Sequence, residues 1–277
     1  MKEADPTVLL FHKGRVESID VFRGLTIFVM IFVNDVASVK GIPGWMKHMP
    51  SDVDGMTFVD LVFPAFLFIV GMSIPFAINK RLSKGCSTSQ VLKHIFIRTA
   101  GLLTLGLFMV NYSSLNFEAS GISRDLWYLF VFAGAILVWN FYPTDEKKKN
   151  IFQLMRVSGI VILIIMAILY RRVDGDSIAW MQTSWWGILG LIGWAYLGAS
   201  IIFLLFRYNL LALIGMLAIF FLMYIGDKEG QLDFIPFIRE HLWLGGHFAG
   251  HVAISLAGVV TSVIMIDTTF ANSVKDK

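Results

Sequence analysis

The chain of 277 residues is 56% hydrophobic and 16% charged, with a formal net charge of +3 and a mean hydropathy of +0.70. Soluble domains are nearer half apolar and a quarter charged, so these values exclude an ordinary soluble domain. The apolar residues come in long uncharged runs, which is typical of helices that cross a bilayer. The single Cys86 excludes an internal disulfide.

Eight apolar segments are long enough to be membrane spans, since about 20 apolar residues cross about 30 Å of hydrocarbon. In chain order the predicted spans are residues 20–39, 57–79, 91–111, 126–142, 151–170, 183–206, 208–226 and 242–266. The predicted fold class is therefore all-α, a polytopic transmembrane helix bundle. With no internal repeat or low-complexity tract, residues 1–277 are predicted to form one membrane domain.

The orientation follows from the basic residues in the loops. With the N-terminus in the cytoplasm, the inner side holds 16 of the 23 Lys and Arg residues and only 8 of the 20 acids. Both termini are then predicted to be cytoplasmic. The inner face would attract anions and the outer face cations, although insertion topology alone also explains the bias.

The first predicted span carries polar residues at both ends. Arg23 and Asn34 are eleven residues apart, close to three full turns, so they share a helix face at an axial separation of about 16 Å. A guanidinium near the inner surface is suited to phosphate. The alternative for Arg23 is a snorkelling side chain, or an ion pair with Asp20 three residues earlier.

The outer loop that follows, residues 40–56, is longer than a minimal helix connection and contains His48. A histidine can transfer protons or act as a nucleophile, but a lone loop histidine is usually a plain surface residue. Asp60 opens the second span with Thr57 as a cap, where a negative charge is favourable. Asp60 could instead orient the His48 imidazole. The pattern favours neither role of Asp60.

His247 and His251 lie four residues apart near the outer end of the last span and share a helix face. This spacing could ligate a metal, but no carboxylate or cysteine is close by, and no metal site is predicted. Gly246 and Gly250 favour tight helix packing with the histidines at the interface. The outer location also allows them to line an acceptor site.

Five short motifs follow one another in the first quarter of the chain, each with a polar residue. They are Ser18-Ile-Asp20-Val-Phe-Arg23-Gly24, Val33-Asn34, Lys47-His48, Gly55-Met-Thr57 and Asp60-Leu-Val-Phe-Pro64, and Phe66-Leu-Phe-Ile-Val-Gly71 comes next. In this order they resemble the heparan-α-glucosaminide N-acetyltransferase family and its bacterial relatives. The resemblance covers residues 15–77, and the rest of the chain matches only as a pattern of helices.

The resemblance implies a membrane acetyltransferase that moves an acetyl group from cytosolic acetyl-CoA, its co-substrate, to the amine of a glucosamine-type sugar on the outer side. The family's active histidine falls on His48, its asparagine on Asn34 and its motif aspartate on Asp60, which are the predicted catalytic residues. Arg23 is the predicted CoA-binding residue. Asn34 would stabilise the oxyanion, and His48 would either deprotonate the incoming ammonium or carry the acetyl group itself.

The expected partners are the lipid bilayer, acetyl-CoA and an amino-sugar acceptor, with a homodimer left open and no nucleic acid. The expected location is a bacterial inner (cytoplasmic) membrane, where the acceptor would be a cell-wall or scavenged amino sugar. A transporter and a non-catalytic scaffold are the alternatives. The spans lack the paired broken helices of many transporters, although Pro64 and Pro75 interrupt the second span.

Two features depart from the family pattern. The loop between His48 and Gly55 is slightly longer than in the animal enzymes. The chain is also shorter than is usual for the family, and a later Asp-Pro-Glu-Gly signature has only a faint counterpart in Asp227-Lys-Glu-Gly230. We therefore expect either a divergent branch or a chain without the family's C-terminal helices.

Overall fold

The computed structural model describes residues 17–50, 53, 55–143, 147–207, 209–231 and 248–275, with side chains described as far as residue 266. The helices are α1 Glu17–Val36, α2 Phe58–Ser83, α3 Thr88–Asn111, α4 Phe117–Ser120, α5 Arg124–Trp139, α6 Lys149–Leu169, α7 Gly187–Phe206, α8 Leu210–Lys228 and α9 Gly250–Lys275. Two short strands, β1 Arg172–Asp174 and β2 Ser177–Ala179, form an antiparallel hairpin. The predicted all-α bundle is confirmed apart from this hairpin.

Each of the eight predicted spans contains a long helix, but only five helical segments in the described residues are long and apolar enough to cross a bilayer. These five are Phe58–Ser83, Thr88–Ser114, Lys149–Leu169, Ser184–Phe206 and Leu210–Lys228. By contrast, α1 carries four charged residues, α5 has 16 residues, and the apolar part of α9 ends at Ile266. The predicted start of the last span, at residue 242, lies outside the described residues.

The chain divides into two compact units, each with its own buried core. Unit 1 comprises Met1–Thr99 and Leu191–Lys277, and unit 2 comprises Ala100–Gly190. All the residues predicted to act in catalysis or CoA binding belong to unit 1. This division into two packed units does not test whether residues 1–277 form one membrane domain, so the single domain stays a prediction.

In unit 1, α2 and α9 approach each other through glycines. A Cβ on Gly71 would lie 1.9 Å from the Ser255 carbonyl oxygen, and one on Gly258 would lie 2.0 Å from the Phe68 carbonyl oxygen. Real side chains cannot occupy such positions, so only glycine permits this approach. Small residues at a crossing of this kind are typical of membrane helix pairs.

Two serines of α9 bond to the backbone of α2. The Ser255 hydroxyl donates to the Leu67 carbonyl at 3.2 Å, and the Ser262 hydroxyl donates to the Met72 carbonyl at 2.8 Å. Both serines are fully buried, so these bonds satisfy groups that water cannot reach. From the first bond to the second, the residue number increases along both helices, and α2 and α9 are therefore parallel.

Helix α1 packs against α2 and runs in the opposite direction. Ile19 near its start contacts Ile69, whereas Val33 near its end contacts Val59 and Val62. The two helices are therefore antiparallel. As a result, the end of α1 and the start of α2 lie together, and these are the segments that carry Asn34 and Asp60.

Unit 2 is built around buried aromatic side chains of α5 and the segment that follows α6. Trp127 and Tyr170 are fully buried, and the Trp127 indole donates to the Met166 carbonyl at 2.9 Å. Helices α5 and α6 meet at Gly134 and Gly159, where a Cβ on Gly159 would lie 2.7 Å from the Gly134 carbonyl oxygen. Burial of polar tips with partners is the rule for such aromatic residues.

Within the sixth predicted span, the regular helix α7 begins only at Gly187. Ser184, Trp185 and Trp186 have φ angles of 39°, 56° and 56°, so they form a left-handed turn before the regular helix. This turn is fixed by packing, because a Cβ on Gly106 would lie 2.0 Å from the Trp186 carbonyl oxygen. The prediction missed it because tertiary contact, rather than local propensity, imposes the left-handed conformation.

Candidate functional site

The loop that carries His48 is attached to the start of α2. A 3-10 turn at Gly44–Met46 places the Trp45 ring edge-on to Phe58, with centroids 6.2 Å apart. The Thr57 hydroxyl lies 2.7 Å from the Lys47 carbonyl, one residue before His48. These two contacts bring the loop back onto the helix that contains Asp60.

His48 and Asp60 form a hydrogen-bonded pair. The distance from His48 Nδ1 to Asp60 Oδ1 is 2.7 Å. The His48 side chain is 70% exposed and that of Asp60 is 23% exposed, so the imidazole faces outward and the carboxylate lies behind it. A neutral imidazole that donates from Nδ1 keeps a lone pair on Nε2. Nε2 is therefore the atom available for chemistry.

The second oxygen of Asp60 is held by the backbone. Oδ2 accepts from the Thr57 N–H at 2.9 Å and from the Met49 N–H at 3.2 Å. The Thr57 hydroxyl is also 2.9 Å away, although its single proton can serve either this oxygen or the Lys47 carbonyl at one time. Asp60 thus caps α2 through Oδ2 and orients His48 through Oδ1, which joins the two roles that the sequence left open.

Asn34 lies at the same end of the helix pair as His48 and Asp60, because Val33 packs on Val59. Its side chain is exposed. Among the described residues, no hydrogen bond joins the Asn34 side chain to His48 or Asp60. The structure therefore brings two of the three predicted catalytic residues into contact and places the third at the same end of α1 and α2.

A cavity of about 820 Å³ lies towards the other end of the same helices. Four cationic side chains and two serines line it, together with apolar residues. The lining residues are Ile19, Asp20, Arg23, Ile27, Phe66, Ile69, Val70, Ser73, Ile74, Phe76, Ala77, Lys80, Ser83, Lys84, Arg98 and Tyr196. The cavity is therefore both basic and apolar, as a ligand with phosphates and a long uncharged arm requires.

The two lysines among the cationic residues mark one end of this cavity. Along α2 the lining runs from Phe66 to Lys84, a rise of about 27 Å at 1.5 Å per residue, and the two lysines lie at the far end. Phe66, at the apolar end, is six residues or about 9 Å along the helix from Asp60. The Phe66 end of the cavity is thus the end that lies nearer to Asp60 along α2.

Arg23 fits both predicted roles at once. It forms an ion pair with Asp20 and also lines the cavity. Arg98 reaches the same cavity from α3, and its guanidinium lies 4.9 Å from the centroid of the Tyr196 ring. Such stacking orients a guanidinium without consuming its hydrogen-bond donors.

Sequence reasoning missed Lys80, Lys84 and Arg98 as lining residues. The two lysines are four residues apart and so share a helix face, which was a usable signal. Arg98 falls inside a predicted span, where a charged residue indicates a functional site. Neither signal identified the cavity, because its walls come from four different helices.

The last helix brings a further histidine against α2, at Phe63. The ring of His251 meets the ring of Phe63 edge-on, with centroids 5.5 Å apart. His247, its predicted neighbour, lies outside the described residues. Within the described residues no group of three or more His, Cys, Asp or Glu side chains could hold a metal ion.

The fold and the site together define an all-α protein with membrane-spanning helices and a histidine–carboxylate pair at one end of a helix hairpin. The chain belongs to the family described as Domain of unknown function (DUF5009), whose model matches residues 15–237. It is also related to heparan-alpha-glucosaminide N-acetyltransferase of Mus musculus and of Homo sapiens, at 39% identity over 99 and 98 residues.

These alignments cover 35% of this chain and only 14% of the length of the curated relatives. No solved structure matches the chain. The relationship to this acetyltransferase family, predicted from the motifs, is thus confirmed over about a third of the chain.

Proposed function

We propose that this chain is a membrane-bound N-acetyltransferase, which moves an acetyl group from cytosolic acetyl-CoA to the amine of a glucosamine-type sugar on the outer side. One observation carries the proposal: a cavity lined by four cations and many apolar residues runs along the same helices that hold the His48–Asp60 pair at one end. The related proteins carry the name of an N-acetyltransferase that acts on a glucosaminide, and this name supports the reaction class.

The donor would enter at the basic end of the cavity. Arg23, Lys80, Lys84 and Arg98 offer charge-assisted hydrogen bonds to the phosphates of CoA. Basic residues collect on the cytoplasmic side of membrane proteins, so this end would face the cytosol. The uncharged arm would follow the apolar walls towards Phe66 and Ile27, with the thioester nearest to the outer end.

His48 would then perform the chemistry through Nε2, held in orientation by Asp60. In a covalent route, Nε2 forms a bond to the acetyl carbon, the C–S bond breaks and CoA leaves as its thiolate. The acceptor amine then bonds to the same carbon, the C–Nε2 bond breaks and the amine proton passes to Nε2. In a direct route, Nε2 takes a proton from the acceptor ammonium, the amine nitrogen bonds to the acetyl carbon as the C–S bond breaks, and the leaving thiolate takes the second amine proton.

Asn34 would stabilise the oxyanion in either route. Its amide lies on α1 about 16 Å from Arg23, the distance that eleven helical residues span. A hydrogen-bond donor at this place would stabilise the oxyanion of the tetrahedral intermediate by several kcal/mol. The carboxamide is exposed and near the end of α1, where it is accessible to a thioester arriving along the cavity.

The test is acetyl transfer by the purified protein in detergent, with acetyl-CoA and glucosamine, for the wild type and for His48→Ala. We expect release of CoA that depends on the acceptor, and a loss of at least about 10³-fold in the variant, since the histidine acts in every step. Wild-type turnover that His48→Ala leaves intact would refute the assignment.

The matched control is Lys47→Ala, which removes the neighbouring side chain and leaves the backbone carbonyl that Thr57 contacts. It should transfer acetyl groups within about threefold of the wild type, because exposed surface charges contribute little. Counterflow of an amino sugar that needs no acetyl-CoA would instead favour a transporter.

The two routes are separated by labelled acetyl-CoA in the absence of acceptor. The covalent route predicts acetyl label on the protein at His48 that is released when glucosamine is added. The direct route predicts no label, although turnover with acceptor remains.

A further inference from the structure

The face of α2 that carries Asp60 also faces α9. Asp60, Phe63, Leu67 and Gly71 recur at intervals of three and four residues and therefore lie on one face. Three of these four contact α9, through the ring of His251, the Ser255 hydroxyl and the Ser255 carbonyl. Val59 and Val62 face α1 instead. Asp60 thus stands at the outer end of the seam between α2 and α9.

His251 packs against α2 about one helical turn away from Asp60. Its contact residue Phe63 follows Asp60 by three residues, an axial rise of about 4.5 Å. The side chain of His251 is partly exposed, while its neighbour Val252 is fully buried. The imidazole on Phe63, about one turn along α2 from Asp60, is therefore not enclosed in the core.

The backbone around His251 is fixed on two sides. A Cβ on Gly250 would lie 2.9 Å from the Tyr224 ring, so α8 closes against this turn. On the other side Ser255, one turn later, bonds to the Leu67 carbonyl of α2. Because both neighbours are tightly packed, the position of His251 relative to Asp60 is set by the scaffold.

We propose that His251 binds the amino-sugar acceptor over the His48–Asp60 pair and sets the affinity for it. The inference rests on the proposed acetyltransferase function and adds a residue to its acceptor side. The edge-on contact with Phe63 holds the ring, and an imidazole both donates and accepts hydrogen bonds, as recognition of sugar hydroxyls requires. No role in the transfer of the acetyl group is assigned to it.

The test is steady-state kinetics of His251→Phe, which keeps the aromatic contact with Phe63 and removes both ring nitrogens. We expect the KM for the acceptor to rise at least about tenfold, the effect of losing one or two hydrogen bonds to the sugar. The KM for acetyl-CoA should remain unchanged, because the donor cavity does not include His251. His251→Gln, which restores a donor and an acceptor, should recover part of the acceptor affinity.

The matched control is Ser255→Ala, one turn along the same helix. It removes the hydroxyl bonded to Leu67, and we expect lower thermal stability with both KM values unchanged. An unchanged acceptor KM in His251→Phe would overturn the proposal, as would equal rises in the two KM values. If the wild type shows no transfer at all, the proposed function fails, and the role of His251 fails with it.

Discussion

The two ends of the α1–α2 hairpin, which our proposal makes the outer end and the inner end, are organised by different physical means. At the outer end one carboxylate, Asp60, accepts hydrogen bonds through both of its oxygens. Towards the inner end a cavity is lined by four cations that are spread along the helices, and none of them defines it alone. Chemistry that needs one atom in one place is therefore separated from binding that needs only summed charge.

This difference predicts how each end responds to change. A hydrogen-bonded pair depends on geometry, so one substitution should affect turnover strongly and salt should affect it little. A group of partly exposed cations depends on screened Coulomb attraction, so each substitution should have a modest effect on donor affinity, and salt should weaken it.

The largest effect is expected for Asp60→Asn, which keeps the shape of the side chain and removes its charge. Without the carboxylate, His48 loses the group that holds its imidazole in orientation, so kcat should fall about 10²–10⁴-fold. Steady-state turnover measures this change, and the KM for acetyl-CoA should stay the same. A kcat within twofold of the wild type would show that the outer end does not depend on this pair.

The next effect concerns the scaffold that both ends share. In Gly71→Ala the new Cβ would lie 1.9 Å from the Ser255 carbonyl oxygen, so α2 and α9 must separate. We expect a loss of about 1–3 kcal/mol of stability, the usual cost of overpacking. Thermal unfolding in detergent measures it, with Gly215→Ala as control, since nothing lies within 4 Å of a Cβ there. Equal stability of the two variants would contradict the tight α2–α9 contact.

A smaller effect is expected at the inner end. Arg98→Gln should raise the KM for acetyl-CoA about 5–10-fold, since it removes one of four charges. Lys93→Gln is the matched control, because Lys93 is an exposed cation of the same helix outside the cavity. Added salt should raise the wild-type KM for acetyl-CoA and leave kcat unchanged. If both variants raise the KM equally, general surface charge rather than the cavity binds the donor.

The smallest effect is expected for Thr57→Val, which removes the hydroxyl shared between Lys47 and Asp60 but keeps the Thr57 N–H bond. The loop should loosen slightly, and kcat should fall about threefold, as expected for loss of one neutral hydrogen bond. Thr57→Ser should restore the wild-type rate in the same assay. A fall in kcat as large as that of Asp60→Asn would show that the loop, rather than the carboxylate, mainly holds His48 in position.

Much of this architecture could be predicted from sequence, because each membrane helix is formed by one continuous stretch of apolar residues. Every predicted span contains a helix, and Thr57 and Asp60 mark the start of α2 within a residue of its observed start. The errors occur where contacts between segments decide the outcome. The left-handed turn at Ser184–Trp186 is one such place, because its fit against Gly106 has no local signal.

The candidate site was predicted as separate residues rather than as an arrangement. Motif order identified Arg23, Asn34, His48 and Asp60, and the alternatives for Asp60 could not be separated by spacing. The structure unites those alternatives, since the two oxygens of one carboxylate have different partners. The identity of a residue is local, whereas the direction of its side chain depends on the packed helix.

By itself, the sequence determined a bundle of apolar helices and the residues with chemistry to offer. Hydropathy and helix periodicity are properties of neighbours along the chain, so they can be read without a fold. Only the tertiary structure decided that Lys80, Lys84 and Arg98 join Arg23 around one cavity, and that His251 meets Phe63 beside Asp60. Those juxtapositions depend on which helix faces pack together, and glycine contacts between residues nearly two hundred positions apart set that packing.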